Sequence, residues 1–367
     1  MRMLSLLLPV VFVAGLSEAQ TSRRPSGNPE AEKAAGSVMI KDWKPRSNLI
    51  VPKTDIPKAR FSAIDVHAHR YAETPEEVKE WVGVMDEVGI EMTVILTGAV
   101  GDRFDQMVEL YLKPYPKRFQ LYAGVLREGI DTPDYPQKAA SELERCYAMG
   151  ARGLGELSDK GLGYTRDRSL PRDKRLHPDD PRLDLFWKKA LELKLSANIH
   201  MADHPSAWQP PDNTQERSPY FQRYNQYGRD VPSHQEILEI RDRLLTRHPE
   251  NTFIACHLSN QGHDLASLTK AMDRFPNLYL DISARAYEMG RQPRAATQFL
   301  TKYKDRIMFG TDQGREKEIY LAWWRFLESP DEYIPGPNWW MLYGLELDDS
   351  MLSALYRDNA KRILNWE

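Results

Sequence analysis

The chain has 367 residues, of which 41% are hydrophobic and 28% charged, and its two cysteines, Cys146 and Cys256, build neither a disulfide framework nor a paired-cysteine zinc site. These are globular proportions, and the length suits one large α/β barrel as well as two ordinary domains, so a fibrous or wholly disordered protein is excluded. Lys and Arg total 50 against 53 Asp and Glu, and a formal charge of −3 offers no grip on a phosphate backbone, which sets nucleic acid aside as a partner.

In chain order, residues 1–20 carry Arg2, an apolar run over 4–16, and then Ser17, Glu18 and Ala19, the pattern of an export signal cleaved after Ala19. The run is shorter than the roughly 20 residues that span a bilayer, and no later segment is apolar for long enough to leave a membrane span after cleavage. Arg2 and Glu18 leave together, so the mature charge stays at −3. The expected organisation is a signal peptide over 1–19, a linker and arm rich in Pro, Ser, Lys and Arg over 20–57, and one barrel domain over 58–367. The expected destination is periplasmic or secreted.

From residue 61 the chain repeats one theme, a short apolar β-rich run, a loop and an amphipathic helical stretch. The eight strand candidates are 61–66, 92–96, 119–125, 151–156, 196–199, 252–255, 278–282 and 307–310. Helical patterns fall at 75–88, 134–149, 181–193, 233–247, 265–275 and 291–303, the first opening on Thr74 as N-cap with Pro75 in the first turn and closing before Gly89. Eight alternations over about 250 residues predict parallel strands with right-handed crossovers, closed into a TIM-like (β/α)8 barrel. A doubly wound sheet is the alternative. Against it, the first strand runs into HAHRYAETP rather than a GxGxxG turn, and the Gly-rich stretch 150–155 lacks the GK[ST] ending of a P-loop. An extra helical extension is expected over 323–366, with Trp323, Trp324, Trp339 and Trp340 as packing residues.

Chemistry in such a barrel gathers at the carboxyl ends of the strands. The first strand ends in Asp65-Val66-His67-Ala68-His69, the fourth in Glu156, the fifth in His200, the sixth in His257 and the eighth in Asp312. A two-residue period puts His67 and His69 on one side of their strand. One HxH pair is a weak sign; five candidates at the same level of separate repeats is a strong one. Imidazoles and carboxylates without thiolate suit one or two divalent cations, zinc first, with manganese or iron as alternatives. A cation of that kind lowers the pKa of bound water from about 15.7 to about 7, worth roughly 12 kcal/mol in favour of hydroxide.

These residues resemble the amidohydrolase superfamily, in particular its second branch, the metal-dependent hydrolases and decarboxylases related to aminocarboxymuconate-semialdehyde decarboxylase. The matching motifs are DVHAH at 65–69, NIH at 198–200, CH at 256–257, FGTD at 309–312 and a terminal NAKRIL at 359–364. The resemblance implies His67, His69 and His200 as metal ligands, Asp312 as ligand and acceptor of the attacking water's proton, and His257 as a second-metal ligand or general acid. Many superfamily hydrolases carry a carboxylated lysine on the fourth strand, whereas single-metal decarboxylases generally lack a bridging ligand. Glu156 can coordinate or bridge, so this position looks more like the hydrolase pattern.

Two long loops, 158–180 and 201–232, are expected to overhang the barrel mouth, the second bearing Trp208, Tyr220, Phe221, Tyr224 and Tyr227. Trp208 is a candidate for stacking on substrate. Arg285 after the seventh strand and Arg127 after the third are candidates for fixing a carboxylate, with Arg285 the primary anchor. The expected function is a hydrolase that directs a metal-bound hydroxide at an amide, ester or lactone bond of a small carboxylate-bearing substrate. The alternative is non-oxidative decarboxylation of an aromatic or muconate-type acid in the same barrel. A binding protein without activity has no need of convergent imidazoles, and a serine hydrolase lacks its GxSxG elbow here. A homo-oligomer through the aromatic C-terminal region stays open.

Overall fold

The computed structural model describes Met39, Asp42 and residues 46–212, 214–216, 224–336 and 340–364. The chain divides into two units, 1–50 and 51–367, and the described residues of the first are all exposed. The expected signal peptide, most of the arm, Tyr220, Phe221 and Trp339 lie outside the described residues.

The second unit is an eight-stranded parallel barrel with strands in sequential order. Its elements are β1 (Ala63–Ala68), α1 (Pro75–Val88), β2 (Ile90–Leu96), α2 (Gly101–Met107), β3 (Phe119–Ala123), α3 (Tyr135–Met149) and β4 (Ala151–Asp159). There follow α4 (Asp184–Glu192), β5 (Ser196–Met201), α5 (His234–Arg247), β6 (Phe253–Ala255), α6 (Leu265–Arg274) and β7 (Leu278–Asp281). The chain closes with α7 (Ala286–Arg291), α8 (Pro293–Lys302), β8 (Ile307–Met308), α9 (Lys317–Glu328), a small antiparallel pair β9 (Ile334–Pro335) and β10 (Met341–Leu342), α10 (Asp349–Ser353) and α11 (Asn359–Ile363). Among the described residues no helix is long and apolar enough to cross a membrane.

Local chemistry explains the punctuation. Thr74 accepts a hydrogen bond from Glu77 N while the Glu77 carboxylate accepts from Thr74 N, a reciprocal cap that satisfies two helix-end donors, and Gly89 ends α1 at φ 90°. The strands are apolar on both faces because each is covered twice. Ile64, Val66, Val94, Leu96, Tyr122, Ile254 and Met308 fill the barrel interior, joined from below by Ala360, Ile363 and Leu364 of the C-terminal segment. Trp81, Tyr111, Phe119, Trp187 and Trp324 anchor the layer between sheet and helices. Trp323 and Trp324 are buried as expected, whereas Trp340 is 47% exposed and meets the Arg291 guanidinium over its ring.

The sheet closes between β8 and β1 through Val66 N to Phe309 O at 3.0 Å and Asp312 N to His67 O at 2.9 Å. Asp65, fully buried, reinforces the seam by accepting from Thr311 N at 3.0 Å and Thr311 Oγ1 at 2.7 Å. Register shifts interrupt the β1–β2 pairing between Asp65 and Ala68 and the β4–β5 pairing between Leu154 and Leu157. Such irregularities re-aim side chains, and these two bracket His67 and Glu156.

Candidate metal centre

His67, His69 and Asp312 offer ligand atoms within 4.8 Å of one another, and so do His67, Glu156 and His257. His69 Nε2 lies 3.1 Å from Asp312 Oδ1, and His67 Nε2 lies 3.8 Å from Asp312 Oδ1 and 3.8 Å from Glu156 Oε1. His257 Nε2 sits 3.5 Å from Glu156 Oε1 and 3.5 Å from Asp312 Oδ2. His200 joins through Nδ1, which pairs with Glu156 Oε1. The four imidazoles and two carboxylates read from the strand ends therefore meet in one place.

Each ring has one nitrogen turned away and held. His67 Nδ1 faces Asp281 Oδ2 at 3.0 Å, His69 Nδ1 faces Leu96 O at 3.1 Å, His257 Nδ1 faces Ser283 O at 2.9 Å, and His200 Nε2 faces Asp203 Oδ1 at 3.1 Å. An acceptor on the outer nitrogen fixes the proton there and leaves the inner nitrogen's lone pair pointing inward, the arrangement that metal-binding histidines use. His67 Nε2 is buried without a hydrogen-bond partner, which is costly unless something else binds it. The residues therefore fit a divalent cation.

The electrostatics agree. Burial opposes a charge on His67, yet Asp281, Asp312 and Glu156 outweigh it and push the imidazole up to about 10. Burial would raise the Asp312 carboxyl, but His67, His69 and His257 hold it well below the usual range. The same contest, with His200 the strongest opponent of burial, holds Glu156 down. The centre demands positive charge. Cys256 offers its Sγ within 4.8 Å of ligand atoms of His67 and Asp281; burial, then the nearby Asp281 and Glu156, push its thiol far up.

Several residues that shape the centre went unread in the sequence. Asp281 accepts from His67 on Oδ2, and on Oδ1 from His257 N at 2.8 Å, Ser283 N at 3.1 Å and Ser283 Oγ at 2.5 Å. Its signal was available, since it is the last residue of β7. Asp203 also pairs with Lys160 Nζ at 3.0 Å, linking the loops after β4 and β5. Tyr71 donates to Asp312 Oδ1 at 3.3 Å.

His257 is carried on an unusual turn. His257, Leu258, Ser259 and Asn260 all have positive φ, from 50° to 61°, and none is glycine. A left-handed backbone costs roughly 1–2 kcal/mol per non-glycine residue, so the surroundings must enforce it. Asn260 N bonds to His257 O at 2.9 Å and Gln261 N to Leu258 O at 2.9 Å.

The substrate candidates fare differently. Arg285 is 6% exposed, with Nε donating to His257 O at 3.2 Å, Nη1 to Ala284 O at 2.9 Å and Nη2 to Asn260 Oδ1. Trp208 is half-buried, donates to Pro232 O at 3.0 Å and packs edge-on against His234. The two long loops are tied together by the buried Arg175, which reaches Gly161 O at 3.2 Å and Asp230 O at 2.7 Å. Arg127 is exposed at the carboxyl end of β3; partial desolvation and then the neighbouring Arg166 and Arg103 lower its pKa, and no carboxylate pairs with any of the three among the described residues.

The chain is similar in fold to solved structures of small-molecule enzymes. The 2,6-dihydroxybenzoate decarboxylase from Rhizobium is 15% identical at a TM-score of 0.52, with 83% of this chain and 99% of that one covered. The manganese-complexed 5-carboxyvanillate decarboxylase from Novosphingobium aromaticivorans is 12% identical at 0.51, covering 86% and 100%. An uncharacterised TIM-barrel protein from Bordetella bronchiseptica is 16% identical at 0.51, covering 83% and 98%. No curated protein matches the chain. The sequence profile of the amidohydrolases matches residues 64–366, nearly the whole barrel unit, and the chain belongs to the amidohydrolase family.

Proposed function

We propose that the protein is a metal-dependent hydrolase acting on an amide, ester or lactone bond of a small carboxylate-bearing substrate. The observation that carries this reading is the position of Glu156. Its Oε1 faces His200, His257 and His67, while its Oε2 lies 3.9 Å from His69 Nε2, so a carboxylate near the end of the fourth strand reaches all four imidazoles, as the hydrolase pattern asks. His67, His69, Glu156, His200, His257 and Asp312 would hold one or two cations. The nitrogen and oxygen donor set favours zinc, with manganese or iron as alternatives. When bound, such a cation polarises the scissile carbonyl and brings the pKa of water from about 15.7 toward 7.

The chain supplies the rest. Asp312 stays ionised and takes the proton of the attacking water, then returns it to the leaving group. Tyr71, kept protonated by burial and by Asp312 itself, donates to that carboxylate and fixes its orientation. Arg127, with Arg103 and Arg166 beside it at the mouth, meets the substrate's carboxylate, and the absence of an internal counter-charge among the described residues supports that role. The test is metal analysis of the purified protein, then a screen of lactones, esters, amides and aromatic acids with an Asp312→Asn control. Turnover that survives chelation overturns the reading, and carbon dioxide released during turnover replaces hydrolysis with decarboxylation.

A further inference from the structure

Two buried arginines converge on the left-handed turn after β6. Arg285 reaches its first carbonyl, His257 O, and its last side chain, Asn260 Oδ1, so one planar fork spans the turn. Asn260 in turn donates to Met201 O at 3.3 Å and Ala202 O at 3.1 Å, at the end of the strand that carries His200. Arg241, 2% exposed on α5, takes Ser259 Oγ at 2.7 Å and the Gln261 side chain. The guanidinium of Arg285 thus faces neutral acceptors of its own chain, with Glu288 at 3.9 Å the nearby carboxylate.

We infer that Arg285 and Asn260 are positioning residues: they enforce the left-handed turn, aim His257 Nε2 at Glu156, and tie His257 to the His200 strand as one half of the centre. This rests on the metal-centre reading above and gives Arg285 a role other than anchoring substrate. A side chain whose three engaged nitrogens all meet protein acceptors is poorly placed to trade them for a ligand carboxylate, because each abandoned buried acceptor would go unsatisfied. Asn is also the residue among the four best suited to a left-handed backbone, which makes it the natural end of the clamp.

The experiment uses the full-length protein stripped of metal and titrated with cobalt(II) against a coloured chelator, with the cobalt absorption spectrum recorded alongside. Arg285→Met is expected to weaken cobalt binding about tenfold or more and to alter its spectrum, with kcat reduced and KM unchanged on any substrate found. Arg285→Lys, which keeps the charge and one donor, is expected to recover part of the affinity. Asn260→Gly retains the left-handed backbone but removes the amide, and it carries the test should the methionine variant fail to fold; it too is expected to loosen the cobalt on that side. Wild-type cobalt affinity and spectrum in Arg285→Lys and Asn260→Gly overturn the inference, and a raised KM with unchanged cobalt binding in Arg285→Met returns that residue to substrate binding. Wild-type protein that takes up no cobalt overturns the metal-centre reading itself, a result distinct from a wild type that binds cobalt and variants that bind it equally well.

Discussion

Replacing Asp281 by Asn tests the backing of the centre with a single atom. Asp281 Oδ1 accepts three hydrogen bonds, from His257 N, Ser283 N and Ser283 Oγ, and an amide oxygen can keep all three. Oδ2 accepts from His67 Nδ1 at 3.0 Å, with Ser283 Oγ also 3.0 Å from that nitrogen, and at Oδ2 the amide presents a donor. The imidazole then loses the charged acceptor of its Nδ1 proton, and the neutral Ser283 hydroxyl alone is left to hold the tautomer whose lone pair is aimed at the centre. The structural cost is limited to one charge-assisted hydrogen bond, about 1.5–3 kcal/mol. The cost to metal affinity is that of losing an outer partner, about 10- to 100-fold, or roughly 1.4–2.7 kcal/mol. Urea unfolding of the metal-free protein measures the first and chelator competition the second. An Asp281→Asn protein that binds metal as tightly as wild type would refute the argument that outer acceptors set the tautomer.

Arg127→Met is expected to raise KM for anionic substrates about tenfold with little change in kcat, measured by initial rates; a neutral analogue should be indifferent. Trp324→Ala should destabilise the barrel by about 3–5 kcal/mol, because the ring is fully buried against Phe309 and Tyr356 and its indole donates to Val88 O at 3.0 Å; calorimetry with and without metal checks it. Burial, with His263 next to it, lowers His234 to about 4, so the folded chain binds fewer protons there than the unfolded chain, whose histidine titrates near 6.5. That penalty is absent above about pH 6.5 and grows as the pH falls toward 4, reaching at most about 3 kcal/mol. Unfolding free energies at pH 7 and pH 4.5 should therefore differ less in His234→Gln than in wild type, and an identical difference would reject the assignment.

The eight strands were legible because a parallel strand covered on both faces reads as a short apolar run. Their ends were less so. β4 was expected to stop at Glu156 but continues to Asp159, because Ser158 and Asp159 find partners in His200 and Met201 after the register shift. α2 carries little signature in the sequence, opening on Gly101 with only Phe104 and Met107 buried to mark its face. The inward-facing groups could be read because one rule, the strand end, applied to all of them. Of the groups that back them, Asp281 obeys the same rule, whereas Asp203 and Ser283 act from loops whose course depends on tertiary contacts, and the enclosure of Arg285 depends on a left-handed turn that no local propensity announces.

The seam made by Asp65 and Thr311 joins residues 246 positions apart. His67 and Asp312 flank that seam, so two groups of the centre become neighbours through the contact that unites the beginning and the end of the barrel. A nascent chain acquires its reactive hollow only after its final strand has been synthesised and docked, and until then the scattered imidazoles have no common target. Cation uptake in this protein would thus report completed topology, and a chain cut short before β8 would be expected to lose its cargo along with its closure, however well its first seven strands had paired.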